Sequence, residues 1–120
     1  MANNIEEWQV QYENAVKSLQ QVGKQINDRI QGIRGGQDRR MFAQMAQKNN
    51  QTLRNLRKDH SDLQRSLNTL ARFDLQQKDV QLYTSQLDQF KQQLDELERR
   101  AKMTESEIMG EARFDLLYFL

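Results

Sequence analysis

Apolar residues return along this chain in steps of three and four, in three separate runs. The first run is Ile5, Trp8, Tyr12, Val16, Leu19, Val22, Ile26, Ile30 and Ile33. That spacing puts every member on one face of an α-helix, with Asn14, Gln21 and Asp28 on the opposite, solvent face. Gly35-Gly36 ends the run, because glycine adopts the left-handed cap conformation at little cost. Gly23 interrupts the stripe, costs about 1 kcal/mol relative to alanine, and leaves room for a neighbouring helix to approach.

The second run is Phe42, Met45, Asn49, Leu53, Leu56, His60, Leu63, Leu67 and Leu70, a heptad pattern kept for about four repeats. Asp38 stands where an N-cap is needed. The third run is Val80, Tyr83, Leu87, Phe90, Leu94, Leu97 and Ala101, extended by Ile108. Asp74 followed by Gln77 resembles a capping box, so the turn between the second and third helices is short and sets them antiparallel. The pattern therefore predicts helices over about 4–34, 38–73 and 75–109. Helices of this length, about 50 Å each, leave a wide apolar stripe wet unless all three pack together. The expected fold is all-α, an antiparallel three-helix up-down-up bundle with long helices occupying residues 1–110.

Residues 111–120 fall outside that scheme. Gly110 is expected to interrupt the third helix, and the Phe114, Leu116, Leu117, Tyr118, Phe119 and Leu120 cluster is costly to expose. Three readings fit it: a tail folded back on the bundle, a segment lodged in a groove of a neighbouring molecule, or the cut end of a longer chain. The chain is accordingly expected to be a monomer, or weakly self-associating through this tail.

Composition narrows the function. The 120 residues hold no Cys, no Pro and one His. A disulfide scaffold, a zinc ribbon and a cysteine nucleophile are excluded, and one His cannot supply a histidine metal cluster. GxxxxGK[ST], GxGxxG after a strand and HExxH are all missing. Neither a basic and apolar leader nor a run of about 18 apolar residues is present, which predicts a soluble chain in a reducing compartment. Asp95 with Glu96, and Glu105 with Glu107, are too close in sequence to share a helix face. No enzyme, cofactor or metal is expected. His60 and Asn49 lie on the core face, and the expectation is that both form polar core layers: His60 with its ring packed and one nitrogen bonded, Asn49 fixing register. Trp8 and Tyr12 are expected to anchor one end of the core; the alternative is an exposed recognition patch.

The net charge of +1 conceals a segregation. Residues 1–37 sum to zero, 38–73 to +5 and 74–120 to −4. Helix two should therefore attract helix three along its flanks. Arg54, Lys58, Arg65 and Arg72 lie nearly opposite the apolar stripe of helix two. They form either a plain solvated face or a docking strip for an acidic partner or an anionic lipid surface. Nucleic acid is not an expected partner, since no aromatic residues interleave with the cations.

Three stretches carry a family resemblance. Residues 7–29 (EWQVQYENAVKSLQQVGKQINDR) look like the first helix of endosomal and vacuolar light-chain syntaxins. Residues 50–67 (NQTLRNLRKDHSDLQRSL) are similar to their second helix, and residues 76–99 (QQKDVQLYTSQLDQFKQQLDELER) to their third. Over about 100 residues the layout resembles the N-terminal regulatory Habc domain of syntaxin-type SNARE proteins. The resemblance implies a non-enzymatic interaction domain regulating SNARE-mediated vesicle fusion and membrane trafficking. Its implied partners are SNARE helices, trafficking adaptors or Sec/Munc-type regulators. It implies a place on the cytoplasmic face of endosomal, Golgi or vacuolar membranes, as the front part of a longer chain whose anchor lies beyond these residues. No run here carries the central Gln or Arg layer of a fusion helix. The competing class is a spectrin-like or coiled-coil structural subunit of a tethering or cytoskeletal complex.

Overall fold

A computed structural model of the chain describes residues 2–36, 39–73, 75–104 and 106–110. Three long helices account for most of them: α1 (Ile5–Arg34), α2 (Arg39–Phe73) and α3 (Gln77–Ala101). No strand occurs among the described residues. The fold is all-helical, with three packed helices, as the apolar spacing predicts.

Helix α1 starts where its side chains replace missing backbone partners. Asn4 Oδ1 accepts from the Glu7 N–H at 2.9 Å, and Glu7 Oε2 accepts from the Asn3 N–H at 2.9 Å. The first bond satisfies a first-turn donor that helical bonding leaves free, and the second ties down the residue before the cap. The helix stops at Gly35, whose N–H bonds Gln31 O, and Gly36 follows at φ 72°, the left-handed geometry that closes the turn. Asp38 and Asp74 lie outside the described residues. At the start of α3 the capping position falls on Gln76, which makes no side-chain cap bond.

The third helix is shorter than its stripe suggests. Expected to run to about residue 109, it ends at Ala101, with the Lys102 N–H bonded to Glu98 O. The cause is a second start signal. Thr104 Oγ1 accepts from the Glu107 N–H at 3.2 Å and donates to Glu107 Oε1 at 3.2 Å. This Thr104 cap, in a Thr-x-x-Glu sequence, opens a separate helical segment over 106–110. Met103 and Ile108 are both buried, so the described residues beyond α3 stay on the core; the apolar tail, residues 111–120, lies outside the described residues.

The stripes meet in one core, from Trp8 through Ile33 on α1, Phe42 through Leu70 on α2, and Leu87 through Ala101 on α3. Each fully buried Leu, Ile or Val contributes about 1.5–3 kcal/mol. Asn14, Gln21 and Asp28 are exposed, as their position on the wheel requires. Trp8 is completely buried, and its Nε1–H donates to Leu63 O at 2.9 Å. Tyr12 stacks on it at 5.4 Å and Tyr83 packs at 5.2 Å, so these rings anchor the core. The glycine that requires close approach is Gly32, not Gly23. A Cβ on Gly32 would stand 2.1 Å from Phe42 Cζ, whereas one on Gly23 would meet the Leu97 methyls at 3.5 Å, an ordinary contact.

Two polar positions of the core behave unlike each other. Asn49 is 1% exposed, and neither amide atom has a hydrogen-bond partner among the described residues. His60 is half-buried, its ring parallel to Phe90 at 6.0 Å. Burial pushes its pKa below the ordinary value, with Lys91 and Arg57 adding to the shift; the Leu87 backbone and Asp88 oppose it. Its Nε2 is buried with no hydrogen-bond partner among the described residues.

Candidate interaction site

The three seams of the bundle are closed to different degrees. Between α2 and α3, Arg57 bonds both Asp95 and Glu98, the latter through Nε at 2.8 Å and Nη2 at 2.9 Å. These carboxylates hold the guanidinium pKa well above its ordinary value. This is the attraction expected between a basic second helix and an acidic third. The ion pairs are partly exposed and are worth at most about 1 kcal/mol each.

The α1–α3 seam is clamped near its two ends and open between them. At one end Gln9 Nε2 donates to the Tyr83 hydroxyl at 2.8 Å and the Tyr12 hydroxyl donates to Gln86 O at 3.4 Å. At the other, Arg100 Nη2 donates to Asn27 Oδ1 at 2.9 Å. Between the clamps lies a groove of about 650 Å³. Leu19, Gly23 and Leu97 supply its apolar lining, while Gln20, Gln92, Gln93, Lys24, Asp28 and Glu96 supply polar and charged groups. The local reason is composition: here α1 offers a glycine and a glutamine, and α3 two glutamines, so no bulky apolar side chain fills the seam. Glu96 is bonded to Arg99, which holds its carboxyl pKa below the usual range. Sequence periodicity placed Leu19 and Leu97 in the core but carried no sign of the opening between them.

Arg54, Lys58, Arg65 and Arg72 are all exposed along α2. None takes part in an ion pair among the described residues. Arg54 also borders a cleft of about 430 Å³ that contains Arg57, Glu98 and Lys102. Lys102, across the α2–α3 seam, is thus a cation that the pattern of helix two alone does not reveal. No group of three or more His, Cys, Asp or Glu side chains stands together as a metal site among the described residues. No described helix is long and apolar enough to cross a membrane. Compared with family models, with curated proteins and with solved structures, the chain matches none.

Proposed function

We propose that this chain is a non-enzymatic protein-interaction module, an up-down-up three-helix bundle that docks an amphipathic partner helix along its α1–α3 groove. The observation that carries this reading is the groove itself, apolar at Leu19, Gly23 and Leu97 and held between two hydrogen-bonded clamps. A helix laid in such a groove buries its apolar stripe while its flanks meet the glutamines and charges of the rim. The helix order is supported by cross-contacts. Along α1 each contact residue meets the α3 residue 73 or 74 positions further on, so the two advance together. Contacts from α2 run the other way, Trp8 reaching Leu63 and Gly32 facing Phe42.

The resemblance of residues 7–29, 50–67 and 76–99 to syntaxin regulatory helices sets the biological context of the proposal. The partner helix is that of a SNARE protein, a trafficking adaptor or a Sec/Munc-type regulator, on the cytoplasmic face of endosomal, Golgi or vacuolar membranes. The structural-subunit alternative draws on shape, since the molecule measures 58 × 30 × 16 Å, as a rod-like repeat does. It predicts an obligate oligomer or tandem repeats, and no internal repeat is visible in these 120 residues.

Fluorescence anisotropy with labelled SNARE fusion-helix peptides, against scrambled peptides of equal composition, tests the reading. The native-order peptides should bind at least tenfold tighter, and Gly23→Leu, which fills the groove, should remove that preference while leaving the melting temperature close to wild type. Equal binding of ordered and scrambled peptides removes the SNARE reading, and an obligate oligomer by light scattering favours the structural one.

A further inference from the structure

We infer that the outward line of α2, Arg54, Lys58, Arg65 and Arg72, is an electrostatic docking strip for an anionic lipid surface. All four side chains are exposed. At 100° per residue they fall within a sector of about 40°, and they extend for about 27 Å along one rigid helix. A straight row of cations on a rod fits a plane.

The strip keeps most of its positive charge against the acids of its own helix. The described acids of α2, Asp59 and Asp62, border a different cleft, with Gln11 and Asn14 of α1. Lys58 does favour the charged form of Asp59, yet burial and Asp62 together hold that carboxyl above its ordinary range. Arg57, the cation nearest α3, is committed to Asp95 and Glu98. On the same face Ser61 and Asn68 separate the strip cations, and at its edge Asp62, four residues after Lys58 and three before Arg65, offsets one of the four charges.

That makeup distinguishes a lipid surface from other polyanions. A protein partner draws most of its affinity from Trp, Tyr and Arg anchors buried at the centre of an interface, and the strip's three arginines stand in an exposed row without an aromatic or apolar side chain among them to exclude water. Single-stranded nucleic acid draws on stacking platforms, which are also missing. An anionic bilayer needs neither, because each Lys or Arg near its surface favours binding roughly fivefold, and four together up to several-hundredfold. The strip lies on the face of α2 opposite its core stripe, and so across the bundle from the α1–α3 groove. Lipid docking therefore leaves that groove facing away from the membrane, and this inference stands whether or not the groove takes a SNARE helix.

The test is co-sedimentation of the full chain with vesicles of phosphatidylcholine alone or containing 30% phosphatidylserine. Binding to the anionic vesicles should exceed binding to the neutral ones at least tenfold at 50 mM NaCl, and fall at least tenfold at 300 mM NaCl. The K58E/R65E variant should lose it. K17E/K91E, with the same change in net charge at exposed positions of α1 and α3, should stay within twofold of wild type. Circular dichroism melting checks that each variant is folded; K58Q/R65Q replaces the reversal variant if that one is not. No anionic preference, an equal loss in both double variants, or tighter binding to a polyglutamate peptide or a 20-base-pair DNA at the same salt would overturn the inference.

Discussion

Gly32 and Gly23 sit on the same helix and differ in what stands above them. The Phe42 ring occupies the space a Gly32 Cβ needs, and only the flexible ends of Leu97 lie above Gly23. Gly32→Ala is therefore expected to destabilise the chain by about 1–3 kcal/mol through overpacking. Phe42→Leu in the same chain should recover part of that loss. Gly23→Ala is expected to stabilise by up to about 1 kcal/mol, the helix-propensity gain. Urea denaturation of the two variants decides; shifts of the same sign would mean that propensity alone governs both sites. Of the two, only Gly23 stands out in sequence, because it interrupts an apolar stripe. Gly32 has no local signature, since the ring above it arrives from another helix. Asn49 teaches the same lesson. Its core position is legible in the heptads, but nothing local says that both amide atoms lack partners among the described residues.

At the scale of elements, the seam between α2 and α3 carries the chain's one histidine. Burial disfavours the charged His60 ring, and Lys91 and Arg57 reinforce that against Asp88 and the Leu87 backbone. A folded-state pKa below the unfolded value means that the unfolded chain takes up the proton first. The stability contributed by neutral His60 is thus complete above the ordinary value of about 6.5 and is lost as pH falls from there through the depressed folded pKa. His60→Phe, which keeps a ring against Phe90, should flatten the slope of unfolding free energy between pH 7 and 5.5. An unchanged slope in the variant would show that other groups set the acid sensitivity. The boundaries of elements were partly legible. The Gly35-Gly36 stop reads directly from the sequence, whereas the apolar spacing misses the Thr104–Glu107 capping signal beyond the early end of α3 and predicts a third helix to about residue 109. The continuing register of Ile108 with the third stripe masks that signal, because a helix can break and still return its next apolar residue to the core.

For the whole molecule, the radius of gyration of 18.1 Å exceeds the roughly 14 Å of a compact domain of this length. Long helices side by side explain this elongation. The proposed up-down-up order makes a direct prediction. Spin labels on Glu6→Cys with Gln81→Cys, and separately on Asp28→Cys with Lys102→Cys, should each lie within about 20 Å, since neighbouring axes are 8–10 Å apart. All four positions are exposed, so labelling leaves the core intact. If α3 instead ran against α1, each pair would separate to about 30 Å or more.

Helix class, the buried faces and the segregation of charge are properties of single helices, and periods of three and four residues write them into the chain. The groove, the Phe42 ring over Gly32, the full burial of the Asn49 amide and the addition of Lys102 beside Arg54 arise between helices distant in sequence. They depend on which gaps side chains from two different runs leave unfilled when the helices meet, a matter of shape that no single stripe encodes.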